Sequence, residues 1–248
     1  RSTPWVDDDA AGFGDSHSNC DTLVIAGNTF DYPSIHGASI LKAGYSFVSC
    51  SNEAIESKQL SLSDYPIVDL ILGKQRQTKM GRGGVVPLQF KTFSTGLQEA
   101  ITAYCQSGGH IFVSGAYVGS DLWDHPAATP ADREFATNTL RFQWRTGQAA
   151  ITGEVKSAPS PFPVFSGRYD YHHLLNKTAY VIESPDGIEP AGEGGHTILR
   201  YAENNISAGV AYQGKYKTCI LGFPFESVRT GEARDRLMQS ILTFFNQK

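Results

Sequence analysis

No stretch of this 248-residue sequence is apolar for long enough to cross a bilayer as a helix. The four cysteines, Cys20, Cys50, Cys105 and Cys219, stand far apart and form no CxxC or Cys/His ligand spacing, which argues against a structural zinc and against a small disulfide-framed fold. There is no P-loop. Lys74, Arg76, Lys79 and Arg82 cluster, but Gly81, Gly83 and Gly84 beside them give the texture of a solvated loop. Charge of one sign is scarce too: a formal net charge of −4 gives no reason to expect nucleic acid or an anionic membrane as a partner. No internal repeat is present.

What is present reads as a folded globular chain, since 40% hydrophobic and 19% charged residues exclude a disordered or fibrous one. Residues 1–20, with Asp7, Asp8 and Asp9, read as an arm that Trp5 anchors. After it, strands and helices alternate. Leu23 to Ala26, Tyr45 to Cys50, Ile67 to Leu72 and His110 to Ser114 are short apolar runs expected to be strands. His36 to Ala43, Thr92 to Gln106 and Thr129 to about Leu140 are expected helices between or after them. This alternation predicts an α/β fold: a flavodoxin-like three-layer sandwich with a mainly parallel sheet. Residues 149–210 differ, with Pro159, Pro161, Pro163 and the turn Ser184-Pro185-Asp186-Gly187, and predict an antiparallel β insertion or flank within one domain spanning 21–248. Ala208 to Tyr212 and Tyr216 to Gly222 predict a hairpin, and Gly231 to Phe245 a last helix.

Ligands of open α/β sheets bind beyond the carboxyl ends of the strands, so three loops are expected to meet there: Gly27 to Asp31, Gly115 to Asp121 and Phe223 to Ser227. These segments resemble the class I glutamine amidotransferase-like superfamily, which holds a cysteine in a Gly-x-Cys-x-Gly turn and takes His and Glu from a late Phe-His-Pro-Glu-Ser segment. Here the turn is Gly115-Ala116-Tyr117-Val118-Gly119 and the late segment Phe223-Pro224-Phe225-Glu226-Ser227. The resemblance therefore implies Tyr117 at the nucleophile position, Pro224 at that of the base, and Glu226 alone retained. The chain is also similar to uncharacterised, xanthan-lyase-like domains of secreted Bacteroidetes proteins, through Gly27 to Asp31, His36-Gly37, Val68 to Lys74, Phe112 to Tyr117 and Gly222 to Glu226.

A tyrosine phenol with no histidine beside it is a poor nucleophile, so glutamine hydrolysis is not expected. The expectation is a catalytically degenerate accessory or ligand-binding module, with a pocket at Asn28, Asp31, Tyr117, Asp121 and Glu226 and a glycan or peptide as ligand. The alternative is a hydrolase or lyase acting on a glycan or peptide, with Asp121, Glu226 or His36 as acid or base and Ser114 or Ser120 as a candidate nucleophile. Asp124 and His125 are ligand types in loops but simpler as a turn, and no metal or other cofactor is implied. Other domains of a longer chain are the remaining expected partners. The similarity to domains of secreted proteins implies a secreted, periplasmic or cell-surface location, and as the chain opens on Arg1 any signal peptide would lie outside it.

Overall fold

The computed structural model describes residues 32–77, 91–174 and 180–247. The arm 1–20, the expected strand Leu23 to Ala26, the loop residues Asn28 and Asp31, and Lys79 and Arg82 lie outside them.

Helix α1, Tyr32–Lys42, and the short α2, Asn52–Glu56, precede strand β1, Ile67–Gly73. Helix α3, Thr95–Gln106, then leads to β2, His110–Gly115. Ser94 caps α3 by accepting from the Leu97 amide, and the helix buries Leu97, Ile101, Tyr104 and Cys105, the face expected from their spacing. A single turn, α4, Ser120–Trp123, is followed by α5, Pro130–Glu134, which runs on as a π-helical stretch, Phe135–Leu140. Arg141, at φ 66°, closes it in the left-handed conformation. Seven strands complete the chain before helix α6, Gly231–Asn246: β3 Phe142–Thr146, β4 Glu154–Ser157, β5 Arg168–Asp170, β6 Gly187–Pro190, β7 Gly195–Tyr201, β8 Ser207–Gln213 and β9 Lys217–Leu221.

Thr129 and Asp132 build a reciprocal capping box at the start of α5, where Pro130 stands at the first helical position. Thr129→Ala is expected to cost about 1 kcal/mol in urea unfolding. Thr129→Ser, which keeps the acceptor, should cost less than half of that.

The main sheet runs β1-β2-β9-β8-β7-β4-β5, and β3 pairs with β6 in a separate two-stranded ribbon. Only β1-β2 and β2-β9 are parallel; β9-β8, β8-β7, β7-β4 and β4-β5 are antiparallel. The expected mainly parallel sheet is thus corrected, among the described residues, to a mixed α/β sheet. Parallel neighbours need a crossover, which α3 supplies between β1 and β2, whereas β8 and β9 are joined by the expected tight hairpin. Of the antiparallel strands that lie in or begin within residues 149–210, β4, β5, β7 and β8 continue the same sheet, whereas β6 belongs to the ribbon with β3. Tyr45 to Cys50 is not a strand: it has no ladder partner among the described residues and leaves Tyr45, Phe47 and Val48 exposed.

Both sheet faces are covered. On β2, Phe112 enters one buried cluster together with Leu237, Met238 and Ile241 of α6, while Ile111 and Val113 enter a second together with Leu97 and Ile101 of α3. Full burial of one such aliphatic side chain contributes roughly 2 kcal/mol, so these faces hold the helices in place and fix what stands at the strand ends.

Candidate functional site

The carboxyl ends of β1, β2 and β9 open into Lys74 to Gln77, Ala116 to Gly119 and Gly222 to Val228. Beneath them, on the α1 and α6 side of the sheet, His36 projects from the second turn of α1 and is 1% exposed. Its Nδ1 lies 2.7 Å from Oδ2 of Asp69, in the middle of β1, and its Nε2 lies 3.1 Å from Oε2 of Glu226. Glu226 is presented by the 3-10 turn Phe225–Ser227, which begins at Pro224, directly after β9. The other oxygen of Glu226, Oε1, accepts from the Tyr180 hydroxyl at 2.7 Å. Phe225 and Phe112 wall the imidazole, with ring centroids 4.6 and 6.2 Å away.

The electrostatics follow from this geometry. Burial by itself would lower the His36 pKa, but Asp69, through its charge and its hydrogen bond, and then Glu226 outweigh it and raise the value to about 9. At neutral pH the ring is an imidazolium that donates from both nitrogens. It therefore holds no lone pair with which to take a proton from a nucleophile.

The Gly115 to Gly119 turn has a different explanation from the one its pattern suggests. A Cβ on Gly115 would lie 2.9 Å from Cβ of Leu72, and one on Gly119 2.8 Å from the Trp144 ring, so both glycines serve close packing. Tyr117 between them is 4% exposed, and Arg76 stacks its guanidinium 5.0 Å from the ring centroid. Burial pushes the phenol pKa up, and the Glu183 charge adds to this. The strained backbone of a nucleophile turn is absent: Tyr117 is not among the positive-φ non-glycine residues, which are Lys58, Arg141, Gln148 and Asn205 among the described residues.

A short segment lies across this edge. Tyr180, Glu183 and Asp186 come at intervals of three, and each satisfies a group on a different element. Tyr180 donates to Glu226, Glu183 meets the buried Lys74 ammonium at 2.8 Å, and Asp186 accepts from the amides of Gly119 and Ser120 at 2.7 and 2.8 Å. Trp144 Nε1 donates to the other Asp186 oxygen at 3.1 Å. Asp186 is fully buried. Desolvation, opposed by the Ser120 and Gly119 amides and by Trp144, raises its pKa to about 7.

Two solved structures share this fold. The β-galactosidase from Rahnella sp. R3 superposes with a TM-score of 0.52 at 14% identity, over 92% of this chain and 29% of its own. The mmIFT52 N-terminal domain superposes with a TM-score of 0.52 at 10% identity, over 92% of this chain and 95% of its own. The chain thus spans under a third of the galactosidase and nearly all of the other. At these identities the likeness is one of fold alone. No family model and no curated relative matches the sequence.

Of the expected site residues that are described, only His36 and Glu226 are brought into contact. Asp121 is 2% exposed and ties two loops together, with Oδ1 accepting from the Gln77 amide and Oδ2 from the amide and hydroxyl of Thr92. Its carboxylate is thus engaged by three hydrogen bonds to its own chain. Ser114 is buried and its Oγ has no hydrogen-bond partner among the described residues, so no base addresses it. The Ser120 amide is held by Asp186, and His125 accepts from the Ala127 amide as a turn cap. Burial pushes the Cys219 thiol well up and the Cys105 thiol up to about 12, leaving both unreactive. Sequence reasoning missed Asp69, Tyr180 and Asp186. Asp69 had a signal, since a lone charge inside the apolar run Ile67 to Leu72 must find a buried partner.

Proposed function

We propose that this chain is a catalytically degenerate, amidotransferase-like domain, its α/β part flavodoxin-like and extended by antiparallel strands. It serves as a glycan-related, ligand-binding accessory module of a longer secreted or periplasmic protein. One observation carries the reading: both ring nitrogens of His36 are committed to carboxylates. A His-Glu pair that served a nucleophile would keep one nitrogen open toward it. Here that direction is closed by Asp69, the nucleophile position holds a buried tyrosine, and the Tyr180 to Asp186 segment covers the edge with the chain's own polar groups. The same fold accounts for under a third of one glycosidase chain and nearly all of a separately solved domain, which suits a module.

The test is a glycan array probed with the purified chain, run beside turnover assays on L-glutamine and on chromogenic glycosides. Retention of glycans with no turnover is the expected result. Turnover that disappears in Glu226→Gln would sink the reading. As a second check, Tyr117→Cys should not create glutaminase activity or a rapidly alkylated thiol, because the position is buried and no neutral histidine faces it.

A further inference from the structure

The strand-end site is packed with the chain's own side chains, yet an open groove of about 570 Å³ lies elsewhere on the surface, and none of His36, Asp69, Tyr117 or Glu226 lines it. It runs between the end of α1, the outer face of α6 and the turn before β5. Lys42 comes from the first, Glu232, Asp235, Arg236 and Gln239 from the second, and Ser166 and Gly167 from the third, with Tyr169 of β5 beside them. We propose that this groove is the carbohydrate-binding site of the module and that it takes an uncharged disaccharide-sized sugar. The inference rests on the glycan-binding reading given above and assigns its location and ligand class.

Charge balance selects an uncharged ligand. Two cations, Lys42 and Arg236, face two carboxylates, Glu232 and Asp235, so a phosphate or a uronate would find no net attraction. The lining is mixed, somewhat more apolar than polar, which suits a ligand that carries both C–H faces and hydroxyls. Beside the apolar part stand donors and acceptors that are partly engaged with one another, Lys42 with Asp235 and Arg236 with Glu232 at 3.3 Å, and the Gln239 amide, whose Nε2 donates to Thr243. Sugar hydroxyls donate and accept at the same atom and match such a mixture. The volume falls within the roughly 300–1,000 Å³ of small-molecule sites.

The groove is also preorganised at its base. Asp235 is fixed from two sides, by the Ser39 hydroxyl at 2.9 Å and the Lys42 ammonium at 2.8 Å. Tyr169 is 2% exposed and donates its hydroxyl to the Ser166 carbonyl at 2.8 Å, forming a rigid floor. At Gly167 φ is +103° and nothing lies within 4 Å of a notional Cβ, so the turn leaves that side of the groove clear. Gln239 and Arg236 are exposed on α6, where they can meet a ligand without rearrangement of the core.

The test is an amide-resolved NMR titration of the isotopically labelled chain with lactose and with cellobiose, on the wild type and on Arg236→Ala/Gln239→Ala. Both changes are at exposed helix positions that favour alanine, so the fold is retained. Shifts confined to residues 39–43, 166–169 and 232–240, with binding at least fivefold weaker in the double variant, are the expected result. If the wild type binds but shifts fall elsewhere, or the double variant binds as well, the groove is wrong and the glycan reading stands. If neither sugar shifts any amide up to tens of millimolar, the groove is overturned, and the glycan array separately decides the wider reading.

Discussion

His36→Ala is expected to destabilise the protein by about 3–5 kcal/mol, the cost of breaking a buried ion pair by removing one partner. The variant leaves Glu226, with a side chain 1% exposed, and Asp69, 16% exposed, facing a void without the cation between them. Urea unfolding at pH 6 measures this. Adding Glu226→Gln to the alanine variant should recover part of the loss, since it removes one of the two stranded charges, and that coupling separates the electrostatic cost from the cavity. The same contact makes stability depend on pH. The folded pKa of about 9 lies above the unfolded value near 6.5, so the folded state holds the proton more tightly. The contribution is fully present below about pH 6.5 and is lost as the pH rises through about 9, with a size on the order of 3 kcal/mol. A loss that is equally large in His36→Ala would assign the pH dependence to another group.

Asp186→Ala carries the second large effect, on the order of 3 kcal/mol, because three donors, the buried Gly119 amide and the part-buried Ser120 amide and Trp144 Nε1, lose their acceptor at once. Asp186→Asn is the more discriminating variant. Its side-chain oxygen can still accept from both amides, and only the Trp144 bond meets a donor instead. The sign of the pH effect is that of a carboxyl raised by burial: the folded value of about 7 lies above the unfolded 3.8, so its stabilising contribution is complete below about pH 4 and fades as the pH rises through 7. Asparagine does not ionise. Its deficit relative to the wild type should therefore shrink between pH 5 and pH 8, as measured by thermal or urea unfolding. A deficit that grows over that interval would mean the donors outweigh desolvation and the ionised form is the preferred one.

The elements that a local pattern governs were legible. Helix α6 has the spacing of Leu237, Ile241, Leu242 and Phe245, helix α5 has Thr129-Pro130 and Asp132, and the β8-β9 hairpin has its turn at Gly214. The balance of parallel and antiparallel pairs in the sheet was not. Strand β8 is buried on both faces from Ser207 to Tyr212, because β9 and β7 flank it and clusters cover both sides. Its apolar run therefore has the texture of a parallel strand although its two neighbours run antiparallel to it. Tyr45 to Cys50 carries the composition of a strand, but composition does not supply a hydrogen-bonding partner. At the site, Glu226 was reached through a short motif. Its partners His36 and Tyr180 lie 190 and 46 residues away in sequence, and Asp69 meets His36 across 33 residues. Such distances belong to topology, which no window of the sequence contains.

The position of β9 bears on how the chain must be assembled. Among the described strands it is the last in chain order and yet an interior one, with β2 on one side and β8 on the other. Its pairing of Ile111 with Thr218 joins segments more than a hundred residues apart. Until it arrives, β2 and β8 both present open edges, and such edges are templates for pairing with other chains. A nascent chain halted before Lys217 would therefore leave β2 and β8 with unpaired edges inside the sheet, which closes by long-range contact only once β9 is available.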